Sequence, residues 1–438
     1  MSPTGQLSPT DRRLLGAVLV VAALVRVVWC VAVARPPVGL HDPGLYRLFA
    51  SQFASGNGYV LLDGSPTAYY PVGYPLLLGG AFLVTPDSWQ TGVVAAVNIA
   101  CQVVSVALVF GITRRLVDGR TMPALVAAGA VALWPNLVFN SAVALTESLF
   151  IALLLGSVLA VIGGPWDGSA PSRGRLVTSG GLLGAATLVR PVSLPFLLVY
   201  ALAWLVAGAG WRRALTWTAI VTGTVVITVV PWVIRNAVVM DAAVLSTNTG
   251  DNLCMSRRVG GTGAFEFPND RCNAGFDHLP RPEYETARDD HGRTLAVEFI
   301  REHPGEEVRL WFRRLHEALR TDDDGIAAAE SYGEDVFIGD GNRRVLRGVA
   351  NAWYVIVGGV GLVGLCLLVI DRRPAGLVVA LAPPALLLSV VAFFGDPRFK
   401  VPALPFVAVG AGIVADRLLA RRTASRLPTP PRGTPPPR

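Results

Sequence analysis

The run LLGAVLVVAALVRVVWCVAVA, residues 14–34, decides the fold class of this chain. It contains 21 residues, and about 20 mainly apolar residues in an α-helix are enough to cross the hydrocarbon core of a bilayer. Comparable runs recur along the chain. We predict ten spans, at residues 14–34, 91–112, 122–140, 145–163, 176–189, 192–207, 214–232, 350–370, 375–394 and 401–414. The sequence therefore predicts an all-α polytopic membrane protein.

The composition predicts the same class of protein. Hydrophobic residues occupy 52% of the 438 positions, charged residues occupy only 16%, and the mean hydropathy is +0.49. In soluble domains about 25% of the residues are charged. The net charge of +7 comes from short basic clusters between apolar runs, without a stripe of basic and aromatic residues. This pattern is typical of membrane orientation, and it argues against nucleic acid as a partner.

The basic clusters orient the predicted bundle, because cytoplasmic loops of membrane proteins carry an excess of Lys and Arg. One side of the ten-span arrangement collects Arg12, Arg13, Arg114, Arg115, Arg120, Arg173, Arg175, Arg212, Arg213, Arg372, Arg373, Arg417, Arg421 and Arg422. The short segments of the other side carry few cations. We therefore predict a multi-pass protein of the plasma membrane, with both termini in the cytoplasm and with residues 39–60 outside.

The two ends of the chain carry signals of their own. Small residues follow the first apolar core in CVAVA, residues 30–34, so a cleaved signal peptide is a second interpretation of this run. The run is longer than a usual h-region of about 7–15 residues, which favours a retained first helix. At the other end, residues 421–438 are rich in proline, and this composition predicts a disordered cytoplasmic tail.

One polar segment, residues 236–348, interrupts the apolar pattern. It separates an N-terminal transmembrane module at 1–235, with a first external loop at 36–90, from C-terminal transmembrane helices at 349–420. By the same orientation this insertion is extracytoplasmic. Its first half is rich in Gly, Asn and Asp, which predicts loop. Its second half has apolar residues at helical spacing with a break at Pro304, which predicts two amphipathic helices.

Two features of the insertion bear on its chemistry. Cys254 and Cys272 lie in a compartment that permits disulfides, and no CxxC pair or His at ligand spacing accompanies them for zinc. We expect the two thiols to pair rather than to remain free. The run Asp322, Asp323 and Asp324 lacks the spacing of an EF-hand loop and predicts a solvated turn.

The segment GLHDPGLYRLFASQFASGNGYV, residues 39–60, follows the first span. Side chains of one helical face recur at three- and four-residue spacing, at Leu45, Leu48, Phe49, Gln52 and Phe53. This spacing predicts an amphipathic helix that ends at Gly56 and Gly58. Asp42 precedes Pro43 at the start of this helix, where a carboxylate can cap free backbone N–H groups. The segment alone leaves a capping role and a chemical role for Asp42 open.

Further strings follow this helix in a set order, GNGY at 56–59, SPTAYYPVGYPLLLGGAFLV at 65–84, WPNLVFNSAVALTESLF at 134–150 and FGDPRFKVPALPF at 394–406. This order resembles the polyprenyl-phosphate-sugar-dependent glycosyltransferases of the GT-C fold, in the branch of the protein O-mannosyltransferases and the lipid A aminoarabinose transferases. The likeness covers residues 10–235 and 350–415, and TNTGDN at 247–252 is similar to an external loop of actinobacterial members. Two positions depart from the family's pattern. Pro43 replaces the second acid of its Asp-Glu pair, and Phe399 replaces its terminal Tyr.

The resemblance implies a fold and a reaction. The fold is a GT-C-like bundle of about ten transmembrane helices, with a re-entrant or membrane-lying helix at 71–86. The reaction is an inverting transfer of a hexosyl or pentosyl group from a polyprenyl-phosphate donor to an acceptor hydroxyl on a cell-envelope glycan, a glycolipid or a protein outside the cell. The rival function is a transporter or flippase of lipid-linked saccharides, although no internal repeat joins the two halves of the chain.

The implied reaction assigns roles to acidic and aromatic residues of the external face. A base must remove the acceptor proton, and we expect Asp42 to do so. Glu147 at the external start of the fourth predicted span is the second acid of the family's site, with capping of that helix as its alternative role. The residues expected to line the cavity are His41, Tyr46, Tyr70 and Tyr74.

The cations of the external face are the candidates for binding the donor phosphate, namely Arg190, Arg235, Arg398 and Lys400. Charges at membrane depth are costly unless they face a polar cavity or a partner, and arginine matches phosphate with a bidentate fork. Interaction with lipid headgroups is the alternative role. A divalent metal stays open, since some GT-C enzymes use one, although Asp42 and Glu147 supply few oxygen ligands.

Overall fold

A computed structural model of the chain describes residues 7–164, 171–266, 270–273 and 275–424. Within these ranges the regular structure is helical, and strand pairing is confined to isolated bridges between Val60 and Pro66 and between Ala264 and Gly395. The α-helices before the insertion are α1 (Pro9–Val33), α2 (Asp42–Ala54), α3 (Gly73–Phe82), α4 (Gln90–Leu116), α5 (Thr121–Ala132), α6 (Pro135–Phe139), α7 (Glu147–Ile162), α8 (Arg173–Val189), α9 (Phe196–Val206) and α10 (Trp211–Val239).

The insertion and the C-terminal part complete the helical order. Their α-helices are α11 (Thr249–Cys254), α12 (Asp270–Asn273), α13 (Glu283–Glu302), α14 (Pro304–Leu319), α15 (Asp324–Ala329), α16 (Asp340–Asp371), α17 (Pro374–Ala392) and α18 (Leu404–Ala424). Short 3-10 segments are found at Asp87–Trp89, Asn140–Ala142, Pro191–Ser193, Ser331–Gly333 and Pro397–Ala403. Two of these 3-10 segments, Ser331–Gly333 and Pro397–Ala403, carry side chains of the site described below.

The apolar helices make this a multi-pass membrane protein. Among the described residues, six helical segments are long and apolar enough to cross a bilayer: Pro9–Val33, Asp87–Leu116, Trp211–Val239, Asp340–Asp371, Pro374–Ala392 and Pro397–Arg422. A seventh span forms if Thr121–Ala132 and Pro135–Ala142 act together across a 53° bend. The predicted number of ten is not confirmed, because α7, α8 and α9 contain 16, 17 and 11 residues, whereas a span needs about 20. Every predicted span nevertheless coincides with a helix or with this bent pair.

The predicted amphipathic helix of the first external loop is α2, and the predicted membrane-lying segment forms α3. The two helices pack closely, because a Cβ atom on Gly79 of α3 would lie 2.8 Å from the ring of Phe53 and 3.0 Å from the carbonyl oxygen of Ala50 on α2. Gly56 and Gly58 adopt left-handed backbone conformations after α2, with φ of 79° and 83°, which glycine tolerates. Close packing against α3 fixes the direction in which α2 presents its N-terminus.

Small residues bring the C-terminal helices together. A methyl group on Gly364 of α16 would overlap the carbonyl oxygen of Gly410 on α18, so these backbones are in direct contact. Small residues at crossing points are typical of helix packing in membranes. Helix α18 continues through Ala424, four residues into the segment predicted as a tail, and residues 425–438 of that prediction lie outside the described residues.

A buried arginine donates hydrogen bonds to backbone carbonyl groups at the bend between α5 and α6. The side chain of Arg26 on α1 is fully buried. Its Nη1 donates to the carbonyl oxygen of Ala132 at 2.8 Å and its Nη2 donates to that of Val131 at 3.2 Å, while Nε donates to Gln102 on α4. The last carbonyls of a helix have no partner within the helix itself. Arg26 therefore supplies donors where α5 ends inside the bundle.

The predicted insertion, residues 236–348, overlaps the end of α10 at 236–239 and the start of α16 at 340–348. Its second half forms α13 and α14, which Pro304 separates as predicted. Its first half is less irregular than predicted, because α11 packs against α13 there. Cys254 at the end of α11 and Cys272 in α12 form a disulfide bond. The remaining cysteines, Cys30, Cys101 and Cys366, are free thiols.

The prediction of a solvated turn at the acid run 322–324 is wrong. The side chain of Asp322 is fully buried and lies 3.3 Å from Lys400 Nζ. Its carboxylate accepts hydrogen bonds from Trp134 Nε1 at 2.7 Å and from Asn136 Nδ2 at 3.0 Å. Asn136 also donates to Asp324 at 2.7 Å. We call Trp134, Asn136, Asp322, Asp324 and Lys400 the docking cluster, because they join the insertion to the bundle.

Candidate active site

Asp42 begins α2 but does not cap it. The N-cap residue is His41, and no side chain caps this helix end. One carboxylate oxygen of Asp42, Oδ1, accepts a hydrogen bond from the hydroxyl of Tyr70. The other, Oδ2, accepts from Arg398 Nη1 at 2.5 Å. The Asp42 side chain retains 31% of its exposure, so it is both held in place and open to solvent.

Glu147 is the first residue of α7, and its side chain is only 1% exposed. It accepts from Arg398 Nε at 2.5 Å through Oε1 and from Arg398 Nη2 at 3.4 Å through Oε2. Arg190, which follows α8, donates to the same Oε1. No side chain caps α7 at Thr146, which instead accepts from Arg190 at 3.4 Å. Glu147 therefore serves as a buried partner for two guanidinium groups.

These contacts bring together four charged residues from four distant parts of the chain, Asp42, Glu147, Arg190 and Arg398. We call them the site cluster. The charges of two carboxylates and two guanidinium groups cancel. This pairing lowers the free-energy cost of placing them at membrane depth. Arg398 is the central member, because it bridges both carboxylates.

The 3-10 segment Pro397–Ala403 aims Arg398 at the site cluster. Asp396 precedes the segment, and its Oδ1 accepts from the backbone N–H of Arg398 at 2.8 Å. Lys400, two residues further on, points elsewhere, since Nζ donates to the carbonyl oxygens of Pro397 at 3.0 Å and Thr321. Lys400 is thus a member of the docking cluster and does not contact the site cluster.

Arg235, another predicted phosphate ligand, bonds to the backbone of the first external loop. Its Nη1 donates to the carbonyl oxygen of Thr67 at 2.7 Å, and its Nη2 donates to that of Tyr59 at 2.9 Å. Its guanidinium carbon lies 5.0 Å from the ring centre of Trp232. The structure therefore brings Arg190 and Arg398 together with the acids, while Arg235 and Lys400 have partners outside the site cluster.

The predicted tyrosines form a packed group behind Asp42. Tyr70 donates to Asp42, and its ring centre lies 4.8 Å from that of Tyr46. Tyr46 in turn contacts Tyr74 at 5.9 Å between ring centres. Tyr74 is fully buried and donates to Asn98 Oδ1 at 3.1 Å. Of the three, only Tyr70 touches the site cluster directly.

His41 lies next to Asp42 in sequence, but its partners belong to the insertion. Its Nε2 lies 2.9 Å from Glu334 Oε1, and its ring centre lies 5.3 Å from that of Tyr332. His41 thus joins the first external loop to the end of the insertion.

The insertion also holds the loop that carries Tyr70. The hydroxyl of Tyr69 donates to Asp251 at 3.0 Å, and Arg288 of α13 pairs with the same carboxylate. Thr67 donates to Glu285 at 2.6 Å. Burial raises the pKa of Glu285, and its hydrogen bonds from Thr67 and from the backbone of residue 68 lower it in part. Sequence analysis missed these anchors, because their partners lie far apart in sequence and in segments without periodicity.

The carboxylates near the site are not arranged as metal ligands. Across the described ranges, no group of three or more His, Cys, Asp or Glu side chains is arranged to hold a metal ion. Asp42 and Glu147 both direct oxygens at Arg398, and Asp396 directs one at the backbone of Arg398. This donor set does not fit a divalent cation, and the chemistry below uses none.

Comparisons with known proteins add to this geometry. No protein-family model matches the chain, and no curated protein sequence matches it. Solved structures do match. The oligosaccharyltransferase of Archaeoglobus fulgidus, tethered with an acceptor peptide that contains the NVT sequon, has a TM-score of 0.54 at 14% identity, over 94% of this chain and 50% of its own.

The oligosaccharyltransferase AglB of Archaeoglobus fulgidus, in complex with an inhibitory peptide and a dolichol-phosphate, has a TM-score of 0.50 at 15% identity, over 98% of this chain and 53% of its own. The chain has a GT-C-like fold. It spans about half the length of the archaeal enzyme. ArnT of Cupriavidus metallidurans bound to undecaprenyl phosphate also matches, with a TM-score of 0.41 at 15% identity, over 95% of this chain and 81% of its own.

Proposed function

We propose that this chain is an integral-membrane inverting glycosyltransferase that moves a sugar from a polyprenyl-phosphate donor to an extracytoplasmic acceptor. The observation that carries the proposal is the site cluster, in which two carboxylates and two arginines meet on a GT-C-like bundle. The acceptor is a hydroxyl of a cell-envelope glycan, a glycolipid or a protein. The dolichol-phosphate and the acceptor peptide of the archaeal oligosaccharyltransferase structures support this choice of substrate classes.

Asp42 is the base of the proposed reaction. The acceptor oxygen forms a bond to the anomeric carbon while the bond from that carbon to the phosphate oxygen breaks, so the bonding electrons leave with the phosphate. The acceptor proton passes to Asp42. Its side chain is 31% exposed, against 1% for Glu147, so Asp42 is the carboxylate that an incoming hydroxyl can reach. Glu147 keeps the two arginines in place.

Arg190 and Arg398 stabilise the leaving phosphate. The hydrogen bonds of Arg190 to Glu147 and Thr146 both use Nη1, and its Nε and Nη2 make none to the described residues. Those donors are therefore available for a phosphate oxygen, and the side chain is 16% exposed. Donors that are fixed before the reaction stabilise the developing negative charge without reorganisation. Arg398, whose donors bond to Asp42 and Glu147, adds its positive charge to the site.

The proposed site faces the outside of the cell. Both termini then lie in the cytoplasm, and residues 236–348 form an extracytoplasmic insertion between the N-terminal module and the C-terminal helices. The disulfide between Cys254 and Cys272 supports this orientation, because such bonds persist in oxidising compartments. The basic clusters of the opposite loops support it as well.

The test is a transfer assay in proteoliposomes, with labelled polyprenyl-phosphate sugars and a membrane extract as the source of acceptors. Asp42→Asn should fold and should lose roughly 100- to 10,000-fold of the transfer rate, since it removes a general base. Asp63→Asn is the matched control, because Asp63 lies in the same external loop and its side chain bonds to Ser65. Wild-type rates for Asp42→Asn, or movement of the donor between leaflets without release of polyprenyl phosphate, would contradict the proposal.

A further inference from the structure

The short turn Ser331–Gly333, near the end of the insertion, has a strained backbone. Three successive residues adopt left-handed conformations, with φ of 49° at Ser331, 55° at Tyr332 and 104° at Gly333. Glycine tolerates this region, but an aromatic residue rarely adopts it. Strain of this kind persists only where the surrounding structure enforces it, and it is concentrated at functional sites.

Contacts on both sides enforce the turn. The backbone N–H of Val38 donates to Ser331 Oγ at 3.0 Å, and His41 pairs with Glu334 at 2.9 Å. Glu330, just before the turn, accepts from Arg343 Nε at 2.9 Å. The turn is therefore fastened both to α16 and to the segment that leads into Asp42.

Tyr332 is the aromatic side chain of this turn, and it lies close to the site cluster. Tyr332 is 43% exposed, and its ring centre lies 5.3 Å from that of His41, the neighbour of Asp42. Burial raises the pKa of its hydroxyl, the charge of Arg398 opposes this shift, and the charge of Asp42 adds to it. Tyr332 is thus partly exposed, with its hydroxyl buried near Arg398 and Asp42, on a backbone that is held in an unfavourable conformation.

We propose that Tyr332 stacks against the sugar ring of the donor and positions its anomeric carbon, an inference that rests on the proposed function. With the donor phosphate on Arg190 and the acceptor hydroxyl at Asp42, the sugar lies between these groups, next to Tyr332. The apolar C–H face of a pyranose or furanose ring suits the flat face of an aromatic side chain, which binds it through dispersion and loss of water. Tyr332 is then a positioning and specificity residue.

The test separates the ring from the backbone. Tyr332→Asn removes the ring but keeps a residue that tolerates the left-handed region. We expect the Kd of the sugar-bearing donor to rise about 10-fold, as for the loss of an aromatic contact. The Kd of bare polyprenyl phosphate should change less than about twofold, and the Tm should be equal to or above that of the wild type, because strain is relieved. Tyr332→Phe, which restores the ring, should recover most of the lost affinity.

Equal weakening of both lipids by Tyr332→Asn, or unchanged binding of the sugar-bearing donor, would overturn the inference. A fall in Tm together with equal weakening would assign Tyr332 to the packing of the insertion. Failure of the proposed function has a different signature. In that case the wild type itself would bind neither lipid and would release no polyprenyl phosphate, whatever residue occupies position 332.

Discussion

Arg398 and Lys400 lie two residues apart on one 3-10 segment, yet they belong to two different clusters of buried charge. Lys400 and Asp322 in the docking cluster are 2% and 0% exposed. In the site cluster the Asp42 side chain keeps 31% exposure and Arg190 keeps 16%. The docking cluster is closed to solvent, so its charges can only stabilise the fold. The site cluster is open on one side, so its charges can meet a ligand.

The largest effect should come from breaking the closed pair. Asp322→Ala leaves Lys400 as a buried charge without its carboxylate, and it removes the acceptor of Trp134 Nε1. Loss of one partner of a buried ion pair costs about 3–5 kcal/mol. We therefore expect a large fall in Tm, measured by thermal unfolding in detergent or nanodiscs.

The same variant should keep its transfer activity. Because the docking cluster does not contact the proposed substrates, the transfer rate per folded molecule should stay near that of the wild type. Asp323→Ala is the control, since Asp323 lies outside the docking cluster and pairs with Arg347, whose side chain is 48% exposed. A fall of more than about tenfold in the rate per folded Asp322→Ala molecule would show that the two clusters are not separate.

The second prediction concerns Arg398, where we expect a large loss of transfer rate and a smaller loss of stability. Arg398→Lys keeps the positive charge but loses the planar fork that bridges Glu147 and Asp42. We expect the transfer rate to fall roughly 100-fold, as for the loss of one preorganised donor, with a smaller loss of Tm than in Asp322→Ala. Arg320→Lys provides the control, because Arg320 is 54% exposed and pairs at the surface. Wild-type kinetics in Arg398→Lys would remove Arg398 from the reaction.

The smallest expected effect is a dependence of the stability on pH, which comes from the docking cluster. Burial raises the pKa of Asp324, in the docking cluster, from 3.8 to about 7, while Lys400 and Asn136 oppose the shift. The folded state thus keeps a proton that the unfolded state releases, so stability is greatest at low pH and falls as the pH rises towards 7. Between pH 6 and pH 8 this group should remove about 1.4 kcal/mol of stability.

Asp324→Asn cannot release this proton, so the fall should disappear. The free energy of unfolding of the wild type and of Asp324→Asn, measured at pH 6 and at pH 8, provides the check. The difference between the two proteins isolates Asp324 from the other titrating groups. Parallel pH profiles would mean that Asp324 titrates normally.

Periodicity and hydropathy were enough to predict the long helices, but not α11 and α15 of the insertion. The helical spacing in residues 39–60 predicted α2, and the break at Pro304 correctly separated α13 from α14. These patterns are local, because side chains three and four residues apart share a face. The number of spans was harder to predict, since a run such as α9 is apolar enough for a membrane but only 11 residues long.

The site itself could not be derived from local pattern. Its four charges come from α2, α7, the end of α8 and the segment before α18, and the predicted orientation together with the family resemblance assigned them to one external site. The separation of Arg398 from Lys400 was also hidden. A 3-10 segment has about three residues per turn, so side chains two positions apart point in different directions. The prediction of a solvated turn at residues 322–324 failed for a related reason. The partners of these acids, Lys400 and Trp134, are distant in sequence.

Arg26 has a consequence for the order in which the chain assembles. A guanidinium group near the middle of a lone helix in lipid costs about 2.5–3.5 kcal/mol by insertion scales. The acceptors that satisfy Arg26 on α4 and α5, Gln102 and the carbonyl oxygens of residues 131 and 132, are synthesised 76 to 106 residues later. Until they enter the bilayer, α1 carries an unpaired charge. The hydrogen bonds that fix Arg26 in the bundle can therefore form only after α5 has been inserted.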